Sequence, residues 1–198
     1  MPERTAMRKV SLDDLVGLSR YASVRGDFRR RIVELKRDRR VAVGDEVTLV
    51  FENFDTVLFQ IQEMLHVERI SDIDKIREEC DVYNALLPGD RELSATLFIE
   101  ITDPAQISDK LNRLVGIDEH VSLVIGDRRI PARFEAGRSR EDKISAVQYV
   151  RFPLDEAAAR LLAAPGTTVR VAIDHPAYRA EATLAESQRA SLAVDLAP

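Results

Sequence analysis

Residues 94–101, SATLFIEI, and residues 145–152, SAVQYVRF, carry one pattern twice. Each begins Ser-Ala and then alternates its apolar side chains, the period of a strand with one covered face. The chain continues alike in both places. A proline follows, Pro104 or Pro153, then an amphipathic stretch at about 105–115 or 154–164, then Gly116 or Gly166 where a helix would end. Strands are predicted over 121–125 and 169–173, turns at Asp127 and at 174–176, and return strands over 129–134 and 178–184. This is a β-α-β-β unit written twice, with copies at about 94–136 and 145–186, expected to share a sheet with pseudo-twofold symmetry. The charged stretch 137–142 between the copies is expected to be an exposed, mobile loop.

Upstream the period lengthens from two residues to between three and four. Residues 1–92 are therefore predicted to be a mainly helical region, 93–198 the duplicated β-α-β-β domain, and the fold class α+β. Ser11 with Asp13 and Asp14 reads as a helix start, with Leu12, Leu15 and Val16 as its apolar face. A second helix is expected after Gly26, with Phe28, Ile32 and Leu35 on one side. Residues 41–44 read as a break, and 46–52 as a short strand turning Val47, Leu49 and Phe51 inward. Asn53, Asp55 or Thr56 can cap a helix running to about Arg69, whose apolar stripe is Val57, Leu58, Ile61, Met64 and Leu65. Another helix is predicted over 73–87, stopped by Pro88-Gly89; the short link at Ser71 and Asp72 makes the pair a helical hairpin.

With 198 residues, 45% of them hydrophobic, the chain can bury a core as one large domain or two small ones. No apolar run reaches the ~18 residues of a membrane span, and MPERTAMRKVSLDD lacks the apolar centre of a secretory signal. Cys80 is the only cysteine, which excludes an intrachain disulfide and a Cys-cluster metal site. A cytoplasmic location is expected. The net charge of −5 hides an asymmetry: residues 1–40 hold twelve Lys and Arg against six acids, so this part is +6 and the remainder −11.

The chemistry-bearing candidates are few. Glu63 and His66 form a Glu-x-x-His pair on one face of a helix, a spacing that a metal can bridge. Di-iron bundles use two such pairs, and neither His120 nor His175 has a Glu three residues before it. A smaller iron or manganese site is conceivable if the hairpin places Glu63 opposite Glu78 and Glu79, with His66 near Lys75; the bland alternative is a set of exposed ion pairs. Cys80 lies between Glu79 and Asp81, which disfavours its thiolate and makes it a small buried residue rather than a nucleophile. His175-Pro176 belongs to a predicted turn. The basic stretch 25–40 could meet phosphates, yet no nucleic-acid motif or aromatic stacking pattern accompanies it, so a solvated face or an acidic partner is the better reading.

Several stretches resemble the domain-of-unknown-function 3501 family of bacterial proteins: Arg39-Arg40-Val41 with Gly44, FENFDTVLFQIQEMLHVERI, 83–88, 92–101 and His175-Pro176. The likeness spans almost the whole chain. It implies no catalytic residues. It does imply a setting among rubrerythrin-like and iron–sulfur proteins, and hence a redox or oxidative-stress context.

The leading expectation is a cytoplasmic accessory or interaction protein serving an iron-dependent redox system. The alternative is a non-haem metalloprotein or oxidoreductase using Glu63, His66 and a hairpin carboxylate. A small-ligand module at the repeat interface is a third reading and nucleic-acid binding a fourth. The cofactor is unknown, whether the chain is an enzyme stays open, and exposed strand edges make a homodimer one expected assembly.

Overall fold

The computed structural model describes residues 8–135, 139–140 and 143–196; most of the expected loop at 137–142 lies outside the described residues. The fold is α+β. After a 3-10 turn at Leu12–Asp14 come α1 (Leu18–Arg37), β1 (Arg40–Val43), β2 (Val47–Phe51), α2 (Phe54–Val67), α3 (Ile73–Asn84) and β3 (Glu92–Ile99). The chain continues through α4 (Ile107–Arg113), β4 (Val121–Ile125), β5 (Arg128–Pro131), β6 (Arg133–Phe134), β7 (Ser139–Arg140) and β8 (Lys143–Ile144). It ends with β9 (Val147–Pro153), α5 (Glu156–Ala163), β10 (Val169–His175), β11 (Tyr178–Thr183) and α6 (Glu186–Asp195).

A five-stranded antiparallel sheet runs β1-β2-β3-β9-β6, a four-stranded one β11-β10-β4-β5, and β7 pairs with β8. The segments that read alike in the sequence meet in both large sheets, β3 against β9 and β4 against β10. Leu97 lies opposite Gln148, and Leu123 opposite Val171. These are the positions that correspond when the two segments are overlaid.

Side chains from both large sheets interdigitate in one core that includes Leu49, Phe51, Leu97, Phe152, Leu123 and Val171. The other face of the five-stranded sheet lies under the helices, where Val57, Ile61 and Leu65 of α2 cluster with Val10, Leu87 and Tyr149. With both faces covered, all five residues of β2 are buried. β2 also pairs with β3 over Val47↔Ile99 to Phe51↔Ala95, so the sheet is continuous across residue 92.

Three local expectations are corrected. Residues 41–44 are not a break: β1 alternates exposed and buried side chains, Val41 and Val43 facing the core, and only Gly44 turns, at φ 69°. Gly26 does not start a helix, because α1 runs straight through it; a lone glycine costs a helix ~1 kcal/mol, and the packing of Tyr21 and Ile32 on either side outweighs that. Ser11 opens only a 3-10 turn, where its backbone N–H and hydroxyl both donate to Asp14 Oδ2, at 2.8 and 2.9 Å.

The C-terminal helix α6 is tied down by a charge. Arg39 is 1% exposed and donates from Nε to the Phe51 carbonyl (2.9 Å) and from Nη2 to the Glu52 carbonyl (3.1 Å). It also pairs with the buried Asp195 of α6. A buried ion pair of this kind tolerates removal of neither partner.

Candidate functional site

Glu63 faces α1, and not α3 as the hairpin reading required. Asn53 caps α2 by accepting from the Thr56 N–H at 3.0 Å, which sets the helix phase and turns Val57, Ile61 and Leu65 to the core with Glu63 along the flank. There the Glu63 carboxylate accepts from Arg25 Nε and Nη2, both at 2.7 Å, and from the Tyr21 hydroxyl at 2.7 Å. The Arg25 guanidinium, with the Tyr21 hydroxyl, holds its carboxyl well below the usual 4.5, at about 2. Burial, with Glu63 adding to it, pushes the Tyr21 phenol up. His66 packs edge-on against the Tyr21 ring with centroids 5.6 Å apart.

The structure does not bring Glu63, His66, Glu78 and Glu79 together. Glu78 is exposed and Glu79 half-buried, and among the described residues no group of three or more His, Cys, Asp or Glu side chains could hold a metal ion. Cys80 is free and buried; burial raises its thiol, with Asp81, Asp14 and Glu79 adding to the effect. His175 has both ring nitrogens engaged, Nε2 with the Val115 carbonyl at 3.0 Å and Nδ1 with the Ala177 N–H at 3.2 Å. The basic helix spends much of its charge on neighbours: Arg25 on Glu63, Arg30 on Asp27, Arg31 on Asp55 and Arg37 on Glu34.

An apolar groove of about 650 Å³ lies between the stretch leading into α1 and the α2–α3 hairpin. Leu12, Leu15, Leu18, Leu65 and Ile76 line it, and Arg20 is the one charged residue among the described residues on its wall. The sequence reading missed it: Leu12, Leu15 and Val16 were expected to be one covered face of a helix. Because the helix starts only at Leu18, they lie along the groove instead. The signal was present in Gly17, which stands where α1 takes its N-cap and separates those residues from the helix. The β1 edge of one sheet is also fastened to the β11 edge of the other, since the Tyr178 hydroxyl of β11 donates to the Val43 carbonyl of β1 at 2.6 Å. Among the described residues no helix is long and apolar enough to cross a membrane.

A protein-family model described as "Protein of unknown function (DUF3501)" matches residues 9–196. The structure is similar to the crystal structure of a novel protein of unknown function from Burkholderia pseudomallei K96243. The two share 37% identity and a TM-score of 0.90 over 96% of this chain and 100% of the other. No curated protein matches the chain.

Proposed function

The chain belongs to the DUF3501 family of proteins of unknown function, and we propose that it works by docking, as an accessory protein whose groove receives an acidic amphipathic segment of a partner. The observation that carries this reading is the groove itself, about 650 Å³ with a wall of leucine and isoleucine broken by Arg20. Apolar concavities of this size on a helical surface receive the apolar face of a partner helix. Arg20 is exposed on the groove's wall, so acidic residues flanking the apolar face of such a segment suit it. The partner we infer is a protein of an iron-dependent redox or oxidative-stress system, and the setting the cytoplasm. The genome neighbourhood implied by the family resemblance supports the first, and the free Cys80 is compatible with the second.

A labelled helical peptide with leucines on one face and glutamates on the other tests the proposal by fluorescence anisotropy. It should bind the wild type, lose about tenfold or more of its affinity to Leu15→Asp, and outcompete the same peptide with lysines in place of glutamates. Equal binding of the two peptides, or indifference to Leu15→Asp, sinks the reading. Sedimentation velocity covers the homodimer: a dimer dissociated by Leu15→Asp would give the groove to a second copy and overturn the partner reading.

A further inference from the structure

A second concavity, independent of the groove, lies where Ala85 and Leu86 meet the outer face of the β3–β9 pair. It has a volume of about 250 Å³, and Glu52 lines it. The alternation of β2 puts Val47, Leu49 and Phe51 into the core between the sheets, and so puts Thr48, Val50 and Glu52 on the side facing the helices. Glu52 is 3% exposed. Its carboxylate is held in place by neutral donors: the Thr96 hydroxyl to Oε1 at 2.7 Å, the Thr56 hydroxyl to Oε2 at 2.5 Å and Gln60 Nε2 to Oε2 at 3.1 Å. A carboxylate can accept about four such bonds, and Oε1 takes only one from the described residues. No lysine or arginine among the described residues pairs with it, so a buried carboxylate group borders the cavity without a cationic partner among them.

From this arrangement we propose that the cavity binds the protonated amine of a small ligand, with Glu52 as its counter-charge. The rest of the lining suits that class. Phe134 and Tyr149 are half-buried aromatic walls on which an ammonium and its short methylene stem can rest, and Glu135 stands exposed at the rim. Arg151 does not oppose the cation with a free charge. Its guanidinium pairs with Glu92 and donates to the carbonyls of Ala85 and Leu87. Arg133, exposed at the mouth, is placed to receive the carboxylate of an amino acid whose amine reaches Glu52. The volume sets the size. At ~30 Å³ per water the cavity displaces about eight waters, enough for an amino acid or short diamine and below the ~300 Å³ at which drug-sized pockets begin.

Isothermal titration calorimetry and thermal shift with ethanolamine, putrescine, β-alanine and γ-aminobutyrate, against propionate and ethylene glycol as amine-free controls, test the proposal. Amine-bearing compounds should bind and the controls should not. Glu52→Gln, which keeps an acceptor for Thr96, should weaken amine binding by about 10- to 100-fold. Ala85→Phe leaves Glu52 intact, alters an exposed position and fills the cavity, so it should abolish binding even if Glu52→Gln proves too unstable to assay. Arg133→Ala separates the sources: it weakens the amino acids alone if the ligand is a zwitterion, and leaves all amines unchanged if it is a plain amine. Absence of amine binding to the wild type, equal binding of propionate, or full binding to Ala85→Phe overturns the proposal.

Discussion

Substituting Glu63 by glutamine tests the electrostatic reading of the α1–α2 contact. The side chain keeps its shape and loses the charge that Arg25 grips from 2.7 Å. A carboxyl moved from 4.5 to about 2 is worth about 3.4 kcal/mol at pH 7, at ~1.36 kcal/mol per tenfold change. The Glu63 side chain is 21% exposed and its partner 33%, so solvent screening reduces the expected loss to about 2 kcal/mol. The folded-state value is depressed, so this stability is fully present above pH 4.5 and fades as pH falls toward 2. At pH 3 less than half of it, about 0.8 kcal/mol after the same screening, should remain. Urea unfolding of wild type and Glu63→Gln at pH 7, 5 and 3 measures the difference directly. The gap should be unchanged between pH 7 and 5 and shrink by pH 3. A gap below ~0.5 kcal/mol at pH 7, or one that does not narrow at pH 3, refutes the assignment of Glu63 to Arg25.

Three further outcomes are expected. Gly44→Ala should cost about 3 kcal/mol, because φ is +69° and the new Cβ would stand 2.4 Å from the Tyr178 hydroxyl, whereas Gly166→Ala, at φ +78° with open space around it, should cost only about 1 kcal/mol; equal melting temperatures would refute this. Gln148→Leu should raise the melting temperature, gaining about 1 kcal/mol, because Gln148 is fully buried and, among the described residues, Oε1 has no partner and only Nε2 is bonded, to the Ser145 carbonyl; a loss of stability would show that the amide is needed. Elemental mass spectrometry of tag-free protein and of His66→Ala should find no stoichiometric iron or manganese, since Glu63 is engaged by Arg25; near-stoichiometric metal removed by His66→Ala would restore the metalloprotein reading.

The local elements that could be read from the chain are those whose partners lie close in sequence. Asn53 caps α2 by reaching Thr56, three residues on, and Asp72 caps α3 by reaching the N–H groups of Asp74 and Lys75. Both strands of the β4–β5 pair follow from short apolar segments on either side of the turn at Asp127. β1 was misread for the opposite reason. Val41 and Val43 are too few to show a period by themselves, and pairing with β2 decides that they form a strand. The candidate metal residues illustrate the same limit. Helical spacing correctly put Glu63 and His66 on one helix, but it says nothing of which neighbouring helix that face meets.

What the sequence by itself determined is the mixed α+β class, most element positions, and which faces are apolar, since those depend on periods of two and 3.6 residues and on caps within a few positions. Tertiary structure alone decided that Glu63 meets Arg25 across 38 residues and that Arg39 meets Asp195 across 156. It also decided that Glu52 is buried beneath the helices, where Thr96 reaches it from 44 residues away. A charged residue on a strand reads as solvent-facing until a second layer covers it. That cover comes from packing of distant elements, which no local pattern encodes.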